Sequence, residues 1–135
     1  MNIIDIINEK DTTESYKTFV EKEIDSYESN EYYSYFDDFL KMLNNDNSYV
    51  RVRCFRMICS LSKWDIDNKI DKNIDKILLE LDDEKPTAVR QCLKALRSML
   101  LYKTNLSDVI EDKLRKLDYS KYKDSMSPLI KKRYR

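Results

Sequence analysis

The sequence contains no glycine and no histidine, only two prolines and a single tryptophan. Without glycine there are no phosphate-cradling loops of the P-loop or dinucleotide type, and the usual positive-φ hairpin turns lose their preferred residue. Helices in such a chain are expected to end on asparagine or on polar turns. Without histidine, His-based triads, zinc–histidine sites and imidazole acid–base chemistry are excluded. Cysteine is scarce as well. Cys54, Cys59 and Cys92 are odd in number and form no C-x-x-C pair, so they read as small core fillers of a reducing compartment rather than a disulfide framework or a ligand set. No metal or cofactor site is expected. There is also no apolar run of bilayer-spanning length and no basic start followed by an apolar h-region, which predicts neither a membrane span nor a signal peptide, and a cytoplasmic protein.

What is present is helical periodicity in a chain of 135 residues, 41% of them apolar, a size suited to one domain with a core of its own. The clearest stretch runs from Lys85 to Leu96. Pro86 suits a first helical turn, where its missing N–H costs nothing, and Val89, Leu93, Leu96 and Leu100 follow at i, i+4, i+7 and i+11. Thirty-nine residues earlier, Val50-Arg51 stands where Val89-Arg90 stands, and Cys54, Met57 and Leu61 lie over Leu93, Leu96 and Leu100. The preceding helix repeats at an offset of thirty-eight, with Phe36, Phe39, Leu40 and Leu43 over Ile74, Ile77, Leu78 and Leu81.

A period near forty, made of two helices with an acidic turn between them and Val-Arg opening the second, resembles the HEAT repeat. Trp64-Asp65, Lys69-Ile70-Asp71, Asp83 to Cys92 and the segment Ser120 to Leu129 resemble a group of small bacterial HEAT-like proteins of unknown function. Some members bear a label linking them to the SufBD iron–sulphur assembly proteins, which are built around a β-helix, whereas nothing in this chain reads as strands. The resemblance implies an all-α HEAT-like solenoid of about eight helices in antiparallel pairs, and no catalytic residues.

The expected organisation is a single domain: capping helices over 1–30, one repeat over 31–64, a second over 65–103 and a C-terminal capping repeat over 104–135. Within the cap, Ile3, Ile4, Ile6 and Ile7 predict a short helix, and Asp11 with Glu14 predicts a capping-box start for the next. Tyr32, Tyr33, Tyr35 and Phe36 form an aromatic cluster that reads first as packing. Asn44-Asn45-Asp46-Asn47 predicts a tight turn, since Asn and Asp tolerate left-handed conformations. Ile66, Ile70, Ile74, Ile77, Leu78 and Leu81 predict one helix, capped by Asp65 or Asp67; Ser107 predicts the cap of another, and Ser127-Pro128 opens a last one over 129–134.

Net charge is zero, with 25 basic and 25 acidic residues, but the signs alternate along the chain. Residues 1–49 hold four Lys/Arg against twelve Asp/Glu, 50–63 four against none, 64–87 four against eight, 88–103 four against none, and 104–135 nine against five. The second helix of each repeat is therefore purely basic. In HEAT-type stacks the second helices line the concave surface, so the resemblance places a basic strip there. At 100° per residue, Val52, Arg56, Cys59 and Lys63 fall opposite the core stripe and are expected to be exposed. Their counterparts are Gln91, Ala95, Ser98 and Tyr102, with Lys94 beside them. Arg56, Lys63, Lys94, Gln91 and Tyr102 form the expected partner-binding set, and Arg51 and Arg90 are expected to tie repeats together.

The function this predicts is a non-enzymatic interaction module or scaffold that takes an acidic protein segment on the basic strip. The alternative is nucleic-acid backbone binding on the same strip, against which the zero net charge and the acidic first third weigh. A third reading, a HEAT-like DNA glycosylase, would use Trp64-Asp65 as its aromatic and carboxylate pair.

Overall fold

The computed structural model describes residues 1–117 and is all-helical there, with no strand. It has eight α-helices: α1 (Ile3–Asn8), α2 (Thr13–Glu28), α3 (Phe36–Met42), α4 (Ser48–Ser60), α5 (Lys69–Lys72), α6 (Ile74–Leu78), α7 (Pro86–Tyr102) and α8 (Ser107–Lys116). Short 3-10 turns lie before α3 and α8 and after α4 and α6. The expected helix over 129–134, and the end of the predicted C-terminal capping repeat, fall outside the described residues. No helix among the described residues is long and apolar enough to cross a membrane.

Local chemistry sets the boundaries, sometimes differently from expectation. α1 opens on a capping box in which Asn2 and Asp5 exchange backbone-to-side-chain bonds. α2 opens on a second box made by Thr12 and Ser15. Asp11 is therefore not the cap of α2, because its carboxylate is turned to Arg53, 3.1 Å away. Ser107 does not cap α8 either; its hydroxyl donates to the Thr104 carbonyl and its backbone is already helical. The helix expected from residue 66 starts later and is broken. Asp65 accepts the backbone N–H groups of Lys69 and Ile70, and Asn68 takes the left-handed conformation at φ 53°. Ile66 consequently lies outside the helix, 84% exposed. Asn73 then bonds back to the Lys69 carbonyl, a side-chain competition with the helical ladder that separates α5 from α6. In this glycine-free chain Asn68 is the one positive-φ residue among those described; the turn at Asn44 to Asn47 closes without one.

α4 is the centre of the molecule. It packs against α3 behind it, α1 and α2 on one side and, most extensively, α7 on the other. The repeated stripes meet in the core: Cys54, Met57 and Leu61 with Leu93 and Leu96 are all essentially inaccessible, together with Phe36, Phe39, Phe55, Ile77 and Leu81. Leu100 is only half-buried. The three thiols are buried and free, and burial pushes each well above the usual cysteine range. Cross-helix bonds give the directions. Arg53 near the start of α4 meets Ser15 at the start of α2, while Ser60 at its end bonds Ser26 near the end of α2. Arg56 meets Gln91 in the first half of α7, and Tyr27 near the end of α2 bonds Ser98 in the second half of α7. α2, α4 and α7 therefore run side by side in parallel.

Candidate interaction surface

The predicted basic strip is not an open surface. Val52 and Cys59, expected to be exposed, are 5% and 0% accessible, and the reason is that α2 and α7 meet over this face of α4. Tyr27 of α2 bonds Ser98 of α7, hydroxyl to hydroxyl at 2.7 Å. Arg56 completes the closure. Its Nε and Nη2 donate to the two oxygens of Glu23, both at 2.8 Å. Nη1 donates to Tyr16 Oη at 2.9 Å and Gln91 Oε1 at 3.1 Å. The guanidinium lies 5.1 Å from the Phe19 ring centroid and 5.4 Å from that of Tyr16. Every arm of this side chain is committed within the fold, so Arg56 is a fastener between α2, α4 and α7 and not a presented charge.

Arg53 escaped the sequence reading altogether, since its position gives no hint of the neighbour that buries it. It is 2% exposed. Nη1 donates to the carbonyls of Ile6, Ile7 and Glu9, at 3.3 to 3.4 Å, and so satisfies the end of α1. Nη2 donates to Asp11 Oδ1 and Ser15 Oγ, both at 3.1 Å. This guanidinium floors a half-open cleft of about 170 Å³ where the starts of α2, α4 and α7 converge. Its charge is spent inward on Asp11 and the three carbonyls.

Arg51 behaves as expected. Nη1 donates to the carbonyls of Asn45 and Asp46 in its own turn at 2.8 and 3.0 Å. Nη2 reaches Asp83 Oδ2 in the next acidic turn at 2.7 Å. Glu80 stands 3.7 Å from Arg51 Nε. Burial raises the Glu80 carboxyl to about 7, with Asp83 adding to the rise and Arg51 opposing it. The position that would answer Arg90 in the same way, thirty-nine residues beyond Asp83, is Tyr122 and lies outside the described residues.

Trp64 and Asp65 are both engaged within the fold. Trp64 donates its indole N–H to the Ser26 carbonyl at 2.9 Å. Asp65 accepts from Tyr33 Oη at 2.7 Å, from the Lys69 and Ile70 amides at 2.9 Å each, and pairs with Lys103 Nζ at 3.0 Å. Burial and the bond to Asp65 push the Tyr33 phenol up. Lys103 is 6% exposed and also holds Asp71 at 2.7 Å. Burial pulls its ammonium down, but Asp71 and Asp65 outweigh this and keep it above the ordinary lysine value. The Asp65 carboxylate, offered with Trp64 as a candidate pair, is thus taken up by Lys103, Tyr33 and two backbone amides.

The remaining expected residues separate. Lys63 is exposed at the end of the α4 segment with Nζ 4.8 Å from the Trp64 ring centroid. Gln91 and Tyr102 are exposed on α7, Gln91 already bonded to Arg56. Lys94 lies on a different and open face of α7. Arg90, Lys94, Arg97 and Leu101 are spaced i, i+4, i+7 and i+11 and are all exposed. None of the three cations has an ion-pair partner among the described residues. On α4 the same register holds Arg51, Phe55, Ile58 and Ser62, of which Phe55 and Ile58 are fully buried. The switch from Phe55 and Ile58 to Lys94 and Arg97 is the signal in the sequence that this face is released to solvent on α7. Among the described residues, no group of three or more cysteine, aspartate or glutamate side chains is arranged to hold a metal ion. No protein-family model, curated protein or solved structure matches the chain.

Proposed function

We propose that the protein is a non-enzymatic binding module of the HEAT-like solenoid class, and that it takes an acidic protein segment on the outward face of α7. The observation that carries this is the stripe Arg90, Lys94 and Arg97, bare of ion-pair partners among the described residues while Arg51, Arg53, Arg56 and Lys103 are all engaged. Three cations over two turns span about 10.5 Å of one helix face, and α7 holds no acid to neutralise them. Leu101, 69% exposed at the end of the stripe, adds an apolar anchor. The solenoid reading is supported by the repeated stripes, the parallel α2, α4 and α7, and the Arg51 tie to the next acidic turn. The non-enzymatic reading is supported by the saturation of Asp65 and Lys103.

A phosphate backbone would be drawn to the same cations, so the test sets the two ligands side by side. A glutamate-rich peptide and a DNA duplex of matched charge are titrated by fluorescence anisotropy against the wild type and against Arg90→Glu/Lys94→Glu/Arg97→Glu. The module reading expects saturable peptide binding that the triple reversal abolishes. Preference for the duplex, with a log–log salt slope that falls by about 0.9 for each lost phosphate contact, overturns it in favour of nucleic acid.

A further inference from the structure

We infer that the acidic segment seated on α7 is α2 of a second copy of this chain, so that copies associate head to tail through the two ends of the α2, α4, α7 row. This rests on the binding face proposed above and names its occupant. The face of α2 turned away from α4 bears Glu14, Glu21 and Glu28, exposed and at two-turn spacing, with Asp25 beside them. None of these four has an ion-pair partner among the described residues. One end of the row therefore presents unpaired acids, with the exposed Lys17 among them, and the other an unpaired basic stripe with no acid in it.

The two stripes match in spacing as well as in sign. Glu14 to Glu21 and Arg90 to Arg97 are both seven residues, about 10.5 Å along each helix. In a parallel alignment, the orientation α4 and α7 already adopt, Arg90 stands opposite Glu14 and Arg97 opposite Glu21. Each stripe also carries a bare aliphatic side chain just beyond its second charge: Ile24, 54% exposed, and Leu101, 69% exposed. These come close in the same register, an apolar contact just past the two charge pairs. Beyond residue 117 the sequence is basic, with six Lys/Arg against Asp118 and Asp124. Because the two surfaces differ, the contact is heterologous and propagates into chains or rings rather than closing as a two-fold dimer.

The test is sedimentation velocity of the full chain over a wide concentration range, at low and at high salt, with melting curves as a check on folding. The wild type is expected to show a mass that rises with concentration at low salt and falls back as salt screens the pairs. Arg90→Glu/Arg97→Glu and Glu14→Arg/Glu21→Arg each create like-charge contacts and are expected to weaken association about tenfold or more. Mixed together, the two variants are expected to associate again, because each then offers the end that the other lacks. A wild type that stays monomeric, or association that both reversals leave unchanged, overturns the inference. If the wild type is monomeric yet still binds the glutamate-rich peptide through α7, only this inference fails. If the peptide is not bound either, the binding face itself is refuted.

Discussion

Truncating Arg56 distinguishes a fastener from a presented charge. In the structure its side chain is 14% exposed and that of Glu23 is 13% exposed, and the two are joined by a two-pronged pair at 2.8 Å. Removing one member of a buried pair costs about 3–5 kcal/mol because the other charge is stranded. Glu23 keeps some access to water, which reduces the cost, whereas loss of the stack on Phe19 and Tyr16 adds to it. The expected loss for Arg56→Ala is about 2–3 kcal/mol, or about 8–12 °C in Tm for a chain of this size. Glu23→Ala should cost less, since Arg56 retains Tyr16 and Gln91. A double-mutant cycle by chemical denaturation should return a coupling of about 1.5–2.5 kcal/mol. Arg56→Lys should lose about 1 kcal/mol, as the ammonium cannot reproduce the fork. Lys63→Ala, at an exposed site, should change stability by less than about 0.5 kcal/mol. If Arg56→Ala is as silent as Lys63→Ala, or the coupling with Glu23 is near zero, the closure of α2 and α7 over α4 is wrong and the concave basic strip is restored.

Three further outcomes follow from the same geometry. Glu80 has a folded pKa of about 7, above its ordinary value, so the fold binds more protons than the unfolded chain between about 4.5 and 7 and stability falls as pH rises through that window. Glu80→Gln should flatten that fall and raise stability at pH 8 by about 1–2 kcal/mol, a gain limited by the partial exposure of the site; an unchanged pH profile contradicts it. Lys103 is raised instead, so the stability it contributes is complete below the ordinary lysine pKa and is lost as pH climbs through the folded value. Lys103→Met should strand Asp65, cost about 3–5 kcal/mol and remove that alkaline transition, as circular dichroism melts against pH would show. Arg51→Ala should release the Asn45–Asp46 and Asp83 turns together and lower Tm, with faster amide exchange at both turns and not at α1.

The apolar stripes were legible because burial on one face leaves a helical period in the sequence: Cys54, Met57, Leu61, Leu93 and Leu96 sit in the core as the spacing required. The Arg51 tie was legible for a related reason, since the acid that answers it stands at a fixed place in the next turn. The accessibility of α4 was not. One helix's pattern identifies its apolar face but not how many neighbours cover the others, and α2 covers the face bearing Arg56 with Glu23, Tyr16 and Tyr27, whose polar atoms make the closing bonds. Arg53 is hidden for the same reason, as its partners are carbonyls of α1 forty-four or more residues away. The break between α5 and α6 turns on side-chain bonds from Asp65 and Asn73 that compete with an otherwise good apolar period. Of the expected binding set, Lys94 alone lies on the free stripe, and Arg90 and Arg97 join it by a comparison with Phe55 and Ile58 that the repeat itself supplies.

The most direct test of the proposed surface is a backbone amide chemical-shift map of the full chain titrated with the glutamate-rich peptide. Shifts are expected to concentrate between Arg90 and Leu101, with Arg53, Arg56 and Cys59 unmoved beneath α2. Shifts centred on Arg56 and Lys63 with α7 silent, or no saturable shifts at all, would contradict it.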